Sequence, residues 1–574
     1  MQPATRRLTL LAVAAALAIP AIAQVQNAPA PAPAPAENAT QPAPTAQPSP
    51  RPGGAAPAGE GGDVVALEGP AQPPPRAIEY PRFARRNPSF AGALDPVRIG
   101  LGSNPWGSAS GVFLSGLMRR TDTPIASRWA HIALRNALLA RAHSPGGVNP
   151  VDWAAERAWL LLRLGEADAA RMVISAVDTD RFTPKMTQVG VQSALANSDP
   201  LAMCGFEERI RKDEPRIFPL VQAMCSALNG EPESASAQID SARRRGTVGG
   251  IDLTLADKVV GAAGDSGRAA TIEWEPVSGL TAWRYGLSTA TGIRPPERLL
   301  DSASPQLRAW YARAPLIPFQ DRLQSARIAT GLGVFSSQSL TDVYSWIYDS
   351  TDPNDLSGTD AWQLRLAAMR RLWKSDDPLQ REAARAMLGR AAARIAPNPE
   401  LQSDAGDLIA SMLAAGMDRQ AARWANAASQ MDDEQADRAW AMIALAAPEG
   451  AAVDLSVGRI NAFIGRDESQ GRKRSALLVA GLAALGKLDI GAASRLNSRY
   501  RLQIERASPW TAMVDAAARR RQSASVLVLA GAGLQTADWD WVPSTHLFHI
   551  VMALRNTGQD FTARMIAAEA LART

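Results

Sequence analysis

The chain has 574 residues, and 61 Lys plus Arg stand against 56 Asp plus Glu, a net charge of +5 at pH 7. That balance supplies no bulk electrostatic reason to expect a nucleic-acid partner. Only six of the basic residues are lysines, Lys185, Lys212, Lys258, Lys374, Lys473 and Lys487; arginine suits phosphate and carboxylate forks, but a GC-rich genome produces the same bias with no function attached.

Arg6 and Arg7 precede the apolar run Leu8–Ile19, then Pro20 and the small triplet Ala21-Ile22-Ala23. This pattern predicts a secretory signal over residues 1–23 with cleavage after Ala23. The run is shorter than the roughly 20 residues a membrane helix needs, and no Cys follows to carry a lipid. A periplasmic or secreted protein is expected, with an inner-membrane anchor as the alternative if the signal is retained. Residues 24–75 are almost wholly Ala, Pro, Gly, Gln, Ser and Thr, as in APAPAPA from Ala28. Such a stretch cannot bury a core and predicts a disordered or polyproline II tail or linker. No later segment reads as a membrane span.

The remainder is expected to hold two arrays, 76–352 and 353–574. The first opens with an irregular cap rich in Pro, Gly and Arg, Tyr80–Gly111, ahead of a helix at Pro124–Ala142. The clearest hairpin follows, WLLLRLGEADAARMVISAV from Trp159, where apolar positions at helical spacing stop at Gly165 and resume beyond it. Glycine at a helix C-terminus takes the left-handed conformation without a Cβ penalty. A small residue five positions later lets the second helix approach closely. The same layout recurs as Gly165 to Ala170, Gly230 to Ala235, Gly416 to Ala421, Gly486 to Gly491 with Ala492 beside it, and Gly558 to Ala563. Successive glycines are 65, 186, 70 and 72 residues apart, near whole multiples of a unit of about 35 residues. Between two of these pairs, Trp274–Pro353 carries Pro276, Pro295-Pro296, Pro305, Pro315 and Pro318, which predicts short helices and irregular stacking. Helical signal returns at Asp360–Trp373 and Leu379–Ile395.

On these residues the pattern resembles the tetratricopeptide repeat, whose units place Gly at the end of the first helix and Ala in the second. That family has an aromatic four residues beyond the Ala, where this chain has Ile174, Ile239, Ala425, Leu496 and Ala567. The resemblance implies an all-α fold, an α-solenoid of antiparallel helical hairpins, and a concave face that binds a protein segment. The layout of signal, Pro/Ala tract and Ala/Arg-rich array also resembles exported alphaproteobacterial proteins named antifreeze glycopeptide polyprotein. A short Pro/Ala/Thr tract suffices to attract that name, so no function is carried over from it.

Chemistry is sparse. Cys204 and Cys225 are the only cysteines; in an exported chain they form either a disulfide between adjacent helices or two reduced buried thiols. His546 and His549, three apart, would share a helix face, but no third ligand of matching type accompanies them. No Gly-x-Ser-x-Gly elbow, Ser-x-x-Lys pair or P-loop occurs, and carboxylate pairs such as Glu207-Glu208 read as solvated surface. The 15 Trp are expected mainly in the core, and Arg243–Arg245 and Arg519–Arg521 complement helix C-termini. No catalytic residue, cofactor or metal is expected. The function expected is an interaction scaffold for a protein partner in the bacterial envelope, the alternative a cell-wall glycan-binding protein or enzyme on a helical superstructure. A groove lined by several carboxylates together with Trp would favour the alternative; mixed Arg, amide and aliphatic residues would favour the scaffold.

Overall fold

The computed structural model describes residues 81–246, 248–264, 271–348 and 361–574. The expected signal with Ala23, the Pro/Ala tract at 24–75 and the boundary at 352/353 lie outside these residues. Regular structure among them is helical: they contain no β-sheet, only an isolated parallel bridge between Leu94 and Ala140. None of their helices is long and apolar enough to cross a membrane.

Helix starts are set by local chemistry. Ser127 accepts the Ala130 N–H at the start of α1 (Arg128–Leu139), and Asn149 accepts two N–H groups at the start of α2 (Pro150–Arg163). After α3 (Ala167–Ile174), Thr183 caps α4 (Pro184–Ala196). Pro150 and Pro184 fall in the first turn, where a missing N–H leaves no bond unmade. The chain continues through α5 (Glu207–Asp213), α6 (Phe218–Leu228), α7 (Pro232–Arg245), α8 (Gly250–Ala263) and α9 (Ala282–Ala290). The proline-rich middle departs from the prediction of uniformly short helices. Glu297–Asp301 and Pro305–Tyr311 are short, but α10 (Phe319–Leu332) runs 14 residues because Pro318 stands at its N-cap, outside the ladder. Beyond it lie α11 (Pro378–Ala392), α12 (Gln402–Ala414), α13 (Asp433–Ala446), α14 (Lys473–Ala484), α15 (Ser523–Gly533), α16 (Ser544–Asn556) and α17 (Asp560–Ala572).

Gly165, Gly230, Gly416, Gly486 and Gly558 have φ of +86°, +86°, +77°, +69° and +83° and follow α2, α6, α12, α14 and α16. In each case the helix before the glycine packs on the one after it. Ala170, Ala235, Ala421, Ala492 and Ala563 are buried in those packed surfaces. Gly491 lies in the first turn of Ile490–Tyr500, half-buried, where Asp489 caps through the Ala492 N–H.

Basic side chains close many of the other helix ends. Arg157 donates from Nη1 to the carbonyls of Leu138 (3.1 Å) and Ala140 (2.9 Å) at the end of α1, and from Nη2 to Ala91 O (2.5 Å). Its burial lowers the guanidinium pKa to about 10. Arg128 donates from Nε to Thr330 O (2.9 Å) and from Nη1 to Ala414 O (2.8 Å), joining the ends of α10 and α12. Lys487 Nζ donates to Ala444 O, Leu445 O and Ala447 O at 2.8, 3.0 and 2.8 Å, closing α13. The last carbonyls of a helix have no partner within it, and a cation suits their partial negative charge.

Arg86–Thr574 belongs to one compact unit, and within it the first helices meet the last. The helix α1 packs against α15 and α17. Ala126 N–H donates to Leu534 O (2.8 Å) and Ala524 N–H to Pro105 O (3.0 Å). An array whose repeats touch only their neighbours keeps its terminal hairpins apart; this contact departs from that rule.

Candidate binding groove

A groove of about 460 Å³ runs along one face of α4. Gln188, Val191, Gln192 and Leu195 of α4 line one side, and Glu214, Arg216, Ile217 and Leu220 line the other. Val248, Asp252 and Thr281–Trp283 close it. The arrangement follows from local packing. Thr183 sets the start of α4 so that Thr187 Oγ1 reaches Asp213 Oδ2 (2.8 Å), fixing α5 beside it. Phe206 packs next to Phe182, ring centroids 5.4 Å apart, and against Gly190, where a Cβ would stand 3.1 Å from its ring.

The groove is largely apolar, and its charge is partly spent inside the protein. Asp252 receives Arg284 Nε (2.9 Å) and Nη2 (3.4 Å), while Trp283 Nε1 donates to Asp252 O (3.1 Å). The carboxamides of Gln188 and Gln192, one helical turn apart, have no hydrogen-bond partner among the described residues. The side chains of Glu214 and Arg216 have none either.

A second cavity of about 380 Å³ is lined by Glu434, Asp437, Arg438, Arg466, Asp467, Glu468 and Arg474. Most of its charge forms cross-links between helices. Asp437 receives Arg466 Nε (2.8 Å) and Arg459 Nη2 (2.7 Å), and Arg438 Nη2 donates to Asp407 (2.9 Å). Burial raises the Asp467 pKa, but hydrogen bonds from Ser469 and Ser475 outweigh it and hold the carboxyl below its ordinary value.

A buried carboxylate, Glu569, joins α17 to the start of α1. Glu569 of α17 accepts Ser127 Oγ (2.5 Å), Arg128 N–H (2.8 Å), Trp129 N–H (3.3 Å) and Arg573 Nη1 (3.0 Å). It thus caps α1 from the other end of the sequence. Burial raises its pKa, the nearby Glu382 adds to the rise, and Arg573 opposes it. With four donors engaged, the carboxylate positions the start of α1. Sequence reasoning missed it; the available signal was a lone Glu in the otherwise apolar run Met565–Leu571.

Cys204 lies in a 3₁₀ turn, Pro200–Phe206, not on an α-helix, and its Sγ is bonded to that of Cys225 in α6, with Cα atoms 5.6 Å apart. The histidines are drawn to separate partners. His131 Nε2 contacts Glu166 Oε1 (3.2 Å), and His143 Nδ1 contacts Ser144 O (2.8 Å). His546 Nδ1 contacts Gly533 O (3.0 Å) and stacks on Trp510, while His549 Nδ1 contacts Asp515 (2.8 Å). Burial lowers the His546 pKa. Among the described residues no group of three or more His, Cys, Asp or Glu could hold a metal ion. The chain matches no protein-family model, no curated protein and no solved structure.

Proposed function

We propose that the protein is an exported scaffold of tetratricopeptide-like hairpins that binds an extended protein segment in the groove beside α4. One observation carries this reading: an apolar groove floor flanked by two unengaged carboxamides, Gln188 and Gln192, on one helix face. A carboxamide offers a donor and an acceptor, the pair a peptide unit requires, whereas an apolar floor takes side chains without asking for charge. The stretch of α4 that lines the groove, Gln188–Leu195, extends about 12 Å, enough for roughly three residues of an extended strand.

The test is capture from envelope fractions with tagged wild type and Gln192→Arg. A defined protein partner recovered by the wild type and lost with Gln192→Arg is expected. Equal recovery by both, or bulk peptidoglycan alone, would sink the proposal. A second reading, glycan binding, is favoured by Trp541, which is 79% exposed and adjacent to Asp540. Exposed indoles stack on sugar rings. Under that reading Trp541→Ala abolishes co-sedimentation with peptidoglycan.

A further inference from the structure

One wall of the groove is tied down covalently. Glu214, Arg216, Ile217 and Leu220 all lie between Cys204 and Cys225, inside the loop that the disulfide closes. The two ends of that bond differ. Cys225 is buried in α6, which packs on α7 and α8; Cys204 is half-buried, between buried Met203 and exposed Gly205. The chain between them is lightly built. The helix α5 has seven residues and buries only Ile210, and Glu214–Ile217 leads from it into α6. A helix of that length does not persist without tertiary support. Besides the disulfide, the α5 stretch is held by Ile210, buried in the core, by its packing on α4 and α6, by Thr187 on Asp213 and by Arg209 donating to Asp180 O.

We infer that the Cys204–Cys225 bond is a redox clamp on the groove: when it is reduced, the stretch from Glu207 to Ile217 leaves α4 while the rest of the helical body stays folded. Loss of segment binding on reduction then follows, and that clause alone rests on the groove reading above. The reductant is a dithiol. Its thiolate attacks Sγ of Cys204, the less buried residue of the pair; the S–S bond breaks, and the electron pair leaves with Cys225, which takes a proton. The second thiol then displaces Cys204, which is protonated in turn, and the reductant departs as its own disulfide. Two electrons and two protons enter the protein. In an oxidising compartment the clamp is closed.

The experiment is amide hydrogen exchange on the full chain, oxidised, treated with dithiothreitol, and as the Cys204→Ser/Cys225→Ser variant, which needs no reduction step. Exchange over 207–220 and 188–195 is expected to rise by about tenfold or more, with 544–572 unchanged. Unchanged exchange at 207–220, or a rise along the whole chain, overturns the clamp. Partner capture separates the two readings. If Gln192→Arg retains the partner in oxidised protein, the groove reading fails and the clamp stands on its exchange data. If Gln192→Arg loses the partner but the reduced protein keeps it, the clamp does not govern binding.

Discussion

At the scale of single residues, the turn glycines separate two costs that usually come together. Gly165 and Gly558 have nearly the same φ, +86° and +83°. A Cβ on Gly558 would meet nothing within 4 Å, while one on Gly165 would stand 2.7 Å from Ala309 Cβ. Gly558→Ala is therefore expected to cost only the backbone term, about 1 kcal/mol, and Gly165→Ala roughly 3 kcal/mol once the steric overlap is added. Urea unfolding of the two variants checks the ranking; equal losses would contradict it. Lys487 gives a prediction in pH. Burial lowers its pKa to about 8, and nearby Arg564 adds to the fall. The folded value lies below the ordinary 10.5, so between about 8 and 10.5 the unfolded chain binds the proton more and stability rises with pH. Lys487→Met removes that rise and leaves the carbonyls of Ala444, Leu445 and the C-cap Ala447 without their donor, costing roughly 2 kcal/mol at pH 7. Midpoints for both proteins at pH 7, 8, 9 and 10 test the slope.

At the scale of elements, what could be read along the chain is what depends on neighbours in sequence. Ser127, Asn149, Thr183 and Asp377 each accept N–H groups two or three residues ahead, and an all-helical chain follows from such caps and from apolar spacing. The groove was not legible, because its lining comes from 188–195, 214–220, 248–252 and 281–283, stretches that only packing brings together. Nor was the work of the arginines, since the carbonyls they close belong to other helices: Arg128 and Ala414 are 286 residues apart. Glu569 is the extreme case, capping a helix 441 residues away. Glu569→Ala leaves Arg128 N–H and Trp129 N–H without their acceptor and Arg573 without its carboxylate, and is expected to cost about 3 kcal/mol. Its raised pKa adds a pH signature. A carboxyl whose folded value exceeds its unfolded one contributes stability that is complete below the unfolded value and lost as pH rises through the folded one. Wild-type stability should carry that fall above the ordinary carboxylate range, and Glu569→Ala should lack it; parallel pH profiles would refute the assignment.

For the unit Arg86–Thr574, the junction of first and last helices changes how the protein should respond to truncation. In an array with neighbour-only contacts, removing the terminal hairpin subtracts one interface and leaves distant repeats as they were. Here α17 is buried from Ala563 to Leu571 and packs on α1, α12, α13, α14 and α16. It supplies the Glu569 cap to α1, and Arg573 Nη1 donates to Ala126 O (2.5 Å). Arg385 of α11 in turn donates to Ala572 O (3.0 Å). A chain ending at Asn556 would expose the apolar faces of those five helices and leave the start of α1 uncapped. The expected outcome is cooperative loss of structure that reaches α1, over 400 positions from the cut, in place of a proportionate trimming of the C-terminal end. Hydrogen exchange of Arg128–Leu139 in the truncated protein decides the matter: protection equal to that of the full chain would mean that the end-to-end contact carries no stability. Loss of protection there, with α6 and α7 still protected, would place the cooperative unit around α17 and leave the groove region standing by itself.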